Sequence, residues 1–231
     1  MSFDLQNNEK LSPWWRYITF LVMIVGFTIL GLITSIAYDN TAPIPKQVVD
    51  PEGRVIFTGE QVTRGQGVFL KNNLMEHGTL WGHGAYLGPD YSASYLHEQT
   101  LFMQKILADE IYHKPFDQLN DFEKGSVTQE IPKILKLNRY NPQTKTLLFT
   151  NEESKAYAHN LDFWRNYFTS GEAPGLPKNY ISNPEDLSNL TSFFAWASWA
   201  SATKRPGEDF TYTNNFPYDP IAGNYPSADA Y

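Results

Sequence analysis

The chain has 231 residues, a formal net charge of -7 and no cysteine. That length leaves room for one sizeable domain, or one domain and a membrane element. Without cysteine there are no disulfides, thiolate metal sites, catalytic thiols or thioether-linked haem, and an acidic chain with no Lys/Arg cluster argues against a nucleic-acid partner.

From Tyr17 to Tyr38 the run "YITFLVMIVGFTILGLITSIAY" carries no charge. As a helix it is long enough to cross about 30 Å of hydrocarbon. Trp14, Trp15, Tyr17 and Tyr38 stand where interfacial aromatics belong, and Arg16 marks a boundary. Ser35-Ile36-Ala37 has the small-x-small form of a signal cleavage site, yet the apolar run exceeds a signal core, so a retained anchor is expected. Lys10 and Arg16 precede the run and only Lys46 follows it closely. The positive-inside rule then predicts a single-pass protein of the cell membrane, with a cytoplasmic N-terminus and a periplasmic or extracytoplasmic domain. The expected segments are 1–16 cytoplasmic, 17–38 transmembrane, 39–57 tether and 58–231 extracytoplasmic domain.

The tether "NTAPIPKQVVDPEG" is proline-containing and extended. "RVIF" reads as a short strand. Thr58 with Gln61 is a capping box that opens a helix over 59–73, with Val62, Val68, Phe69 and Leu74 available for burial. A glycine-rich loop, "LMEHGTLWGHGAYLGPD" (74–90), follows. Ser92 or Ser94 then caps a long helix reaching His113. Another helix is expected over 119–131, ending before Pro132. Residues 135–149 read as a hairpin around Asn141-Pro142, the one strong strand pair. Thr150 with Glu153 opens a helix that ends at Gly171, and Pro184 opens a last helix running to Lys204-Arg205. Its segment Leu190 to Ala202 is too short to span a bilayer, so a buried or interfacial helix is expected. The tail 206–231 reads as an irregular loop packed on something larger. The fold class expected is mainly α: one N-terminal transmembrane helix and a helical extramembrane domain with a small β-hairpin.

Catalytic machinery is not visible. The histidines His77, His83, His97, His113 and His159 show no spacing that places two ligands on one helical face. His77 and His83 bracket the loop without carboxylates at useful spacing. Nucleophile elbow, P-loop and dinucleotide fingerprint are all missing.

"GHGAYLGPD", with "RGQGVFL" before it and "GLPKNYISNPEDLSNLTSFFAWASWASATKRPG" after it, resembles the N-terminal part of quinol-dependent nitric oxide reductases. The resemblance implies a cytochrome c-like domain above a multispanning catalytic section that carries haem b and non-haem iron. In the cytochrome c subunit of related two-subunit enzymes, a C-x-x-C-H motif runs into Thr and a G-E-G-A-Y loop. Laid onto this sequence, the cysteines fall at Leu74 and His77 and the axial histidine at Gly78. Thr79, Gly82, Gly84, Ala85, Tyr86 and Pro89 are kept, with Asp90 as an acid. The domain is therefore expected to hold no haem, with Leu74, Met75 and Trp81 filling its place and His97 with Met103 as the only candidate noncovalent ligands. The aromatic helix of Phe193, Phe194, Trp196 and Trp199 is either partly available to the catalytic section or wholly internal core.

The family's chain continues from "YPSAD" into about a dozen membrane helices, whereas this one stops at Tyr231: a fragment, a truncated product or a separately encoded subunit. The resemblance also implies that the carbonyls of Gly84 and Tyr86 help bind a calcium shared with haem propionates and an acid of the catalytic section. Gly82, His83, Ala85, Leu87, Gly88, Pro89 and Asp90 would form the interface around it. Calcium takes six to eight hard oxygens, and a glycine-rich backbone can turn carbonyls outward together. The competing reading is a tight turn that only packs between helices. No cofactor is then held by this chain alone and no residue is catalytic. The alternative function is a membrane-anchored ligand-binding or sensor module, which needs a pocket and no catalytic partner.

Overall fold

The computed structural model describes residues 12–39 and 41–228, and the chain divides into one unit through Thr41 and a second from Ala42. Most of the expected 1–16 segment lies outside the described residues. In the first unit, α1 (Trp14–Asp39) is long and apolar enough to cross a membrane over Trp14–Ala37. It starts earlier than the uncharged run because Trp15 N already bonds Ser12 O. Two of its hydroxyls bond within the helix, Thr19 Oγ1 donating to Trp15 O and Thr28 Oγ1 to Ile24 O, both at 2.8 Å, as an apolar surround favours.

The second unit is mainly helical. In chain order it comprises β1 (Gln47–Val49), β2 (Val55–Thr58), α2 (Gly59–Lys71), α3 (Leu74–His77), β3 (Thr79–Leu80), β4 (His83–Gly84), α4 (Tyr91–Tyr112), α5 (Asp121–Lys136), β5 (Tyr140–Asn141), β6 (Thr146–Leu148), α6 (Asn151–Thr169) and α7 (Pro184–Ala202). Capping boxes open three of these helices, Thr58 with Gln61, Asn120 with Glu123 and Thr150 with Glu153. Each cap contributes about 1 kcal/mol by satisfying N–H groups that have no partner within the helix.

The framework is the crossing of α2 with α7, with α4 and α6 laid beside it. Val62, Val68 and Phe69 of α2 meet Leu187, Leu190, Phe193 and Phe194 in one core. A second core joins Leu96, Met103 and Leu107 of α4 to Val127, Ile131 and Leu135 of α5. α7 is buried along nearly its whole length, which small residues such as Ala197, Ser198, Ala200 and Ser201 permit. That makes Leu190 to Ala202 a buried core helix.

The structure departs from the sequence reading at three places. The expected tether 39–57 contains the unforeseen strand β1, which joins the expected strand β2 and the hairpin in a four-stranded sheet of order β2-β1-β6-β5, with β1 parallel to β6. Val48 is fully buried there, a placement that depends on a partner strand about 100 residues away. Helix α5 runs through Pro132 to Lys136 instead of stopping before it. An interior proline costs about 3 kcal/mol. Burial of Ile131 and Leu135 four residues apart offsets it, and the last carbonyls find outside donors, Arg139 Nη1 on Ile134 O and Lys204 N on Lys136 O. The tail packs on the domain itself. Asn224 Nδ2 donates to Ser201 O at 3.0 Å, and Asp219 Oδ1 accepts from Ile221 N and Ala222 N.

The tail also covers Lys136, whose ammonium bonds Asn224 Oδ1. Burial, with Lys204 nearby, pulls Lys136 down to about 8 against a smaller opposing pull from Asp219. The folded state thus holds this proton less tightly than the unfolded chain, in which a lysine titrates near 10.4. Stability from this group therefore rises as pH climbs from about 8 to about 10.5. Relative to Lys136→Met, the native chain should gain about 1–2 kcal/mol between pH 7 and pH 10, after allowance for screening of a half-buried group. Urea midpoints of both proteins at the two pH values measure it, and an unchanged gap would contradict the assignment.

Candidate functional site

The glycine-rich segment folds as α3, a two-residue hairpin and a return strand into α4. Trp81 (φ 52) and Gly82 (φ 79) form the tip between β3 and β4, both with the positive φ that a tight hairpin turn of this kind needs. Asp90 organises the whole. Its Oδ2 accepts from Thr79 Oγ1 and Gly82 N, both at 2.7 Å, and its Oδ1 accepts from Ser92 Oγ at 2.5 Å and Ala93 N at 2.8 Å. The last of these also caps α4. Met75 O accepts from Ala85 N and His77 O from Gly88 N, so the loop is stitched to α3 by its backbone.

His77 stands where the second cysteine of a haem-attachment motif would, and that position points inward. It is buried, with Nε2 at 2.5 Å from Pro174 O and Nδ1 at 2.7 Å from Tyr91 Oη. A carbonyl can only accept, so Nε2 donates to Pro174 O, and Nδ1 shares a hydrogen bond with the Tyr91 hydroxyl. Gly88 must lack a side chain because a Cβ there would lie 2.1 Å from the imidazole. Tyr91 in turn stacks on Phe194 at 4.9 Å, and burial pushes its phenol well above the usual tyrosine range.

These residues do not fit a covalently attached haem. Neither attachment position carries sulfur, the axial position is Gly78, and Leu74 is fully buried beside the ring cluster of Phe69, Tyr91, Trp164 and Phe194. Of the expected fillers, Leu74 is internal and Trp81 is half-buried, donating Nε1 to Ala197 O at 2.9 Å, whereas Met75 is 39% exposed. Met103 lies in the second core while His97 reaches Asp219 at the surface, so these two share no site. His77 and His83 do not converge either: one is buried and the other exposed. No group of three or more His, Asp or Glu suited to a metal occurs among the described residues.

The remaining loop residues form the outer surface. Tyr86 is 88% and Leu87 61% exposed, His83 and Gly84 are exposed, and Gly82, Ala85, Gly88, Pro89 and Asp90 are half-buried. Among the described residues no hydrogen bond is donated to the Tyr86 carbonyl. A cavity of about 500 Å³ opens between this loop and Phe216 of the tail. On α7, Phe193, Phe194 and Trp199 are core, and only Trp196 is half-buried, with its Nε1 on Pro43 O at 3.0 Å.

Sequence reasoning missed the organising role of Asp90 and the inward placement of His77. The signal for the second was available, since a side chain at an attachment position must face the interior. Phe216 carried no signal, because only the fold of the tail brings it to the loop.

A comparison with curated proteins finds no match. The family model for the NorB cytochrome c-like domain of nitric oxide reductase matches residues 45–218, which takes in β1 through the first part of the tail and includes the whole loop. With well over half of its length covered, and with this loop and helix arrangement, the chain belongs to that family.

Proposed function

We propose that this chain is the haem-free, extracytoplasmic part of a quinol-dependent nitric oxide reductase. A multispanning section with haem b and non-haem iron reduces nitric oxide to nitrous oxide, and this domain caps and positions that section. The observation that carries the reading is the interior at the attachment motif, where Leu74 and His77 are closed into the core and His77 has both nitrogens engaged. A soluble carrier would find no redox group here to reduce, so electrons enter from quinol within the membrane. Helix α1 anchors the chain with its N-terminus in the cytoplasm, as the charges flanking it favour.

Loop residues 82–90 meet the catalytic section. The Gly84 and Tyr86 carbonyls supply two of the six to eight oxygens of a shared calcium, whose charge offsets acids of the partner. Support comes from the exposure of both residues and the free carbonyl of Tyr86. Replacing Gly84 would not test this role, because a Cβ there meets Gly78 O at 2.3 Å with φ at 139° and disrupts the loop itself.

The deciding measurement is nitric oxide consumption by this chain purified together with its catalytic section. Turnover is expected with a quinol and background with a reduced c-type cytochrome, while the chain alone stays at background with either donor. Cytochrome-driven turnover, or turnover by the chain alone, would overturn the reading.

A further inference from the structure

The cavity beside the loop has a chemistry that the proposed docking role does not use. Trp81 and Tyr86 from the loop and Phe216 from the tail line it, together with His83 and Asp90. Asp90 differs from two other acids that hold the fold together. Asp50 is paired with Arg54 and Glu153 with Arg139, whereas no ion pair to Asp90 is formed among the described residues. All four of its hydrogen bonds come from neutral donors. Asp90 thus stands, without an ion-pair partner among the described residues, at an aromatic-lined space of about 500 Å³ that His83 also borders.

The character of that charge selects the ligand. Each oxygen of Asp90 already accepts two hydrogen bonds, so little lone-pair capacity is left for an incoming N–H donor. Guanidinium and primary ammonium groups would have to give up hydrating water without replacing its hydrogen bonds. A quaternary ammonium donates none, loses less on leaving water, and is attracted both by the carboxylate and by the faces of aromatic rings. We propose that this cavity is a binding site for a trimethylammonium group, carried by a free solute or by a lipid headgroup. The assignment concerns the chain without its catalytic section, because the proposed docking would cover the same loop residues.

The test uses the full chain in a maltoside detergent, titrated with choline and with 3,3-dimethylbutanol, its uncharged isostere, by calorimetry at constant ionic strength. Choline should bind at least 10-fold more tightly than the alcohol and more tightly than arginine. Tyr86→Leu, which alters a ring already 88% exposed, should weaken choline about 5-fold without changing the melting temperature. Phe216→Leu should weaken it similarly from the other wall. Dihexanoylphosphatidylcholine binding at least 10-fold above choline identifies the headgroup source, and lesser binding identifies the free solute. Equal binding of choline and its isostere, or choline binding that survives both substitutions, would overturn the site.

Discussion

Gly65→Val should strongly destabilise the helical domain. A Cβ at Gly65 would sit 2.0 Å from Asn189 O and 2.8 Å from Phe193 Cβ, so the backbones of α2 and α7 meet directly at this point. No side chain can rotate away from such a clash; the helices must separate. Separation would loosen Val62, Val68 and Phe69 from Leu190, Phe193 and Phe194, the centre of the larger core. The expected loss is about 3–5 kcal/mol, at the upper end for overpacking and a large part of the 5–15 kcal/mol that holds a domain of this size. Gly67, two positions on, is exposed with nothing within 4 Å of an added Cβ. Gly67→Ala should therefore stabilise by about 0.5–1 kcal/mol through helix propensity. Urea denaturation followed by circular dichroism gives both values, and similar midpoints for the two variants would refute this account of the crossing.

Asp90→Ala should open the loop while leaving the rest of the domain folded. It removes the acceptor for Thr79 Oγ1, Gly82 N, Ser92 Oγ and Ala93 N, and with it the cap of α4. The cap alone contributes about 1 kcal/mol, and each half-buried donor left without a partner costs about 1 kcal/mol more where water cannot reach it. A total of about 2–4 kcal/mol is expected, concentrated locally. Amide hydrogen exchange at Gly82 and Ala93 should accelerate by at least 30-fold, with Val68 and Phe194 in the core little changed. Unchanged protection at Gly82 would mean that the backbone bonds from Met75 and His77, and not the carboxylate, hold the loop.

What could be read in the sequence follows from how local each determinant is. The capping boxes at Thr58 and Thr150 are complete within four residues, so the starts of α2 and α6 were legible. The mainly helical class and the apolar anchor follow from periodicity and length in the same way, whereas the sequence left α7 either buried or interfacial and the fold buries it. β1 was not legible, because Gln47–Val49 becomes a strand only by lying parallel to Thr146–Leu148. Pro132 reads as a stop, and only the burial of Ile131 and Leu135 against α4 overrides it. At the site, the loop and its glycines were evident, but the four-way use of Asp90 and the clasp of His77 between Tyr91 and Pro174 depend on tertiary neighbours.

The helix crossing also sets an order of events during synthesis. Arg64, next to Gly65, bonds Glu185 at the start of α7 across 121 positions of chain. At about 5–20 residues per second, the ribosome needs about 6–24 s to supply the partner of α2 after α2 itself is made. For that interval the apolar face of α2 is uncovered in a chain whose first helix is already seeking the bilayer. β1 waits nearly as long for β6. Such distant pairings make folding slow and raise the chance of wrong association. The nascent domain therefore keeps its largest apolar helix face uncovered until its last helix emerges.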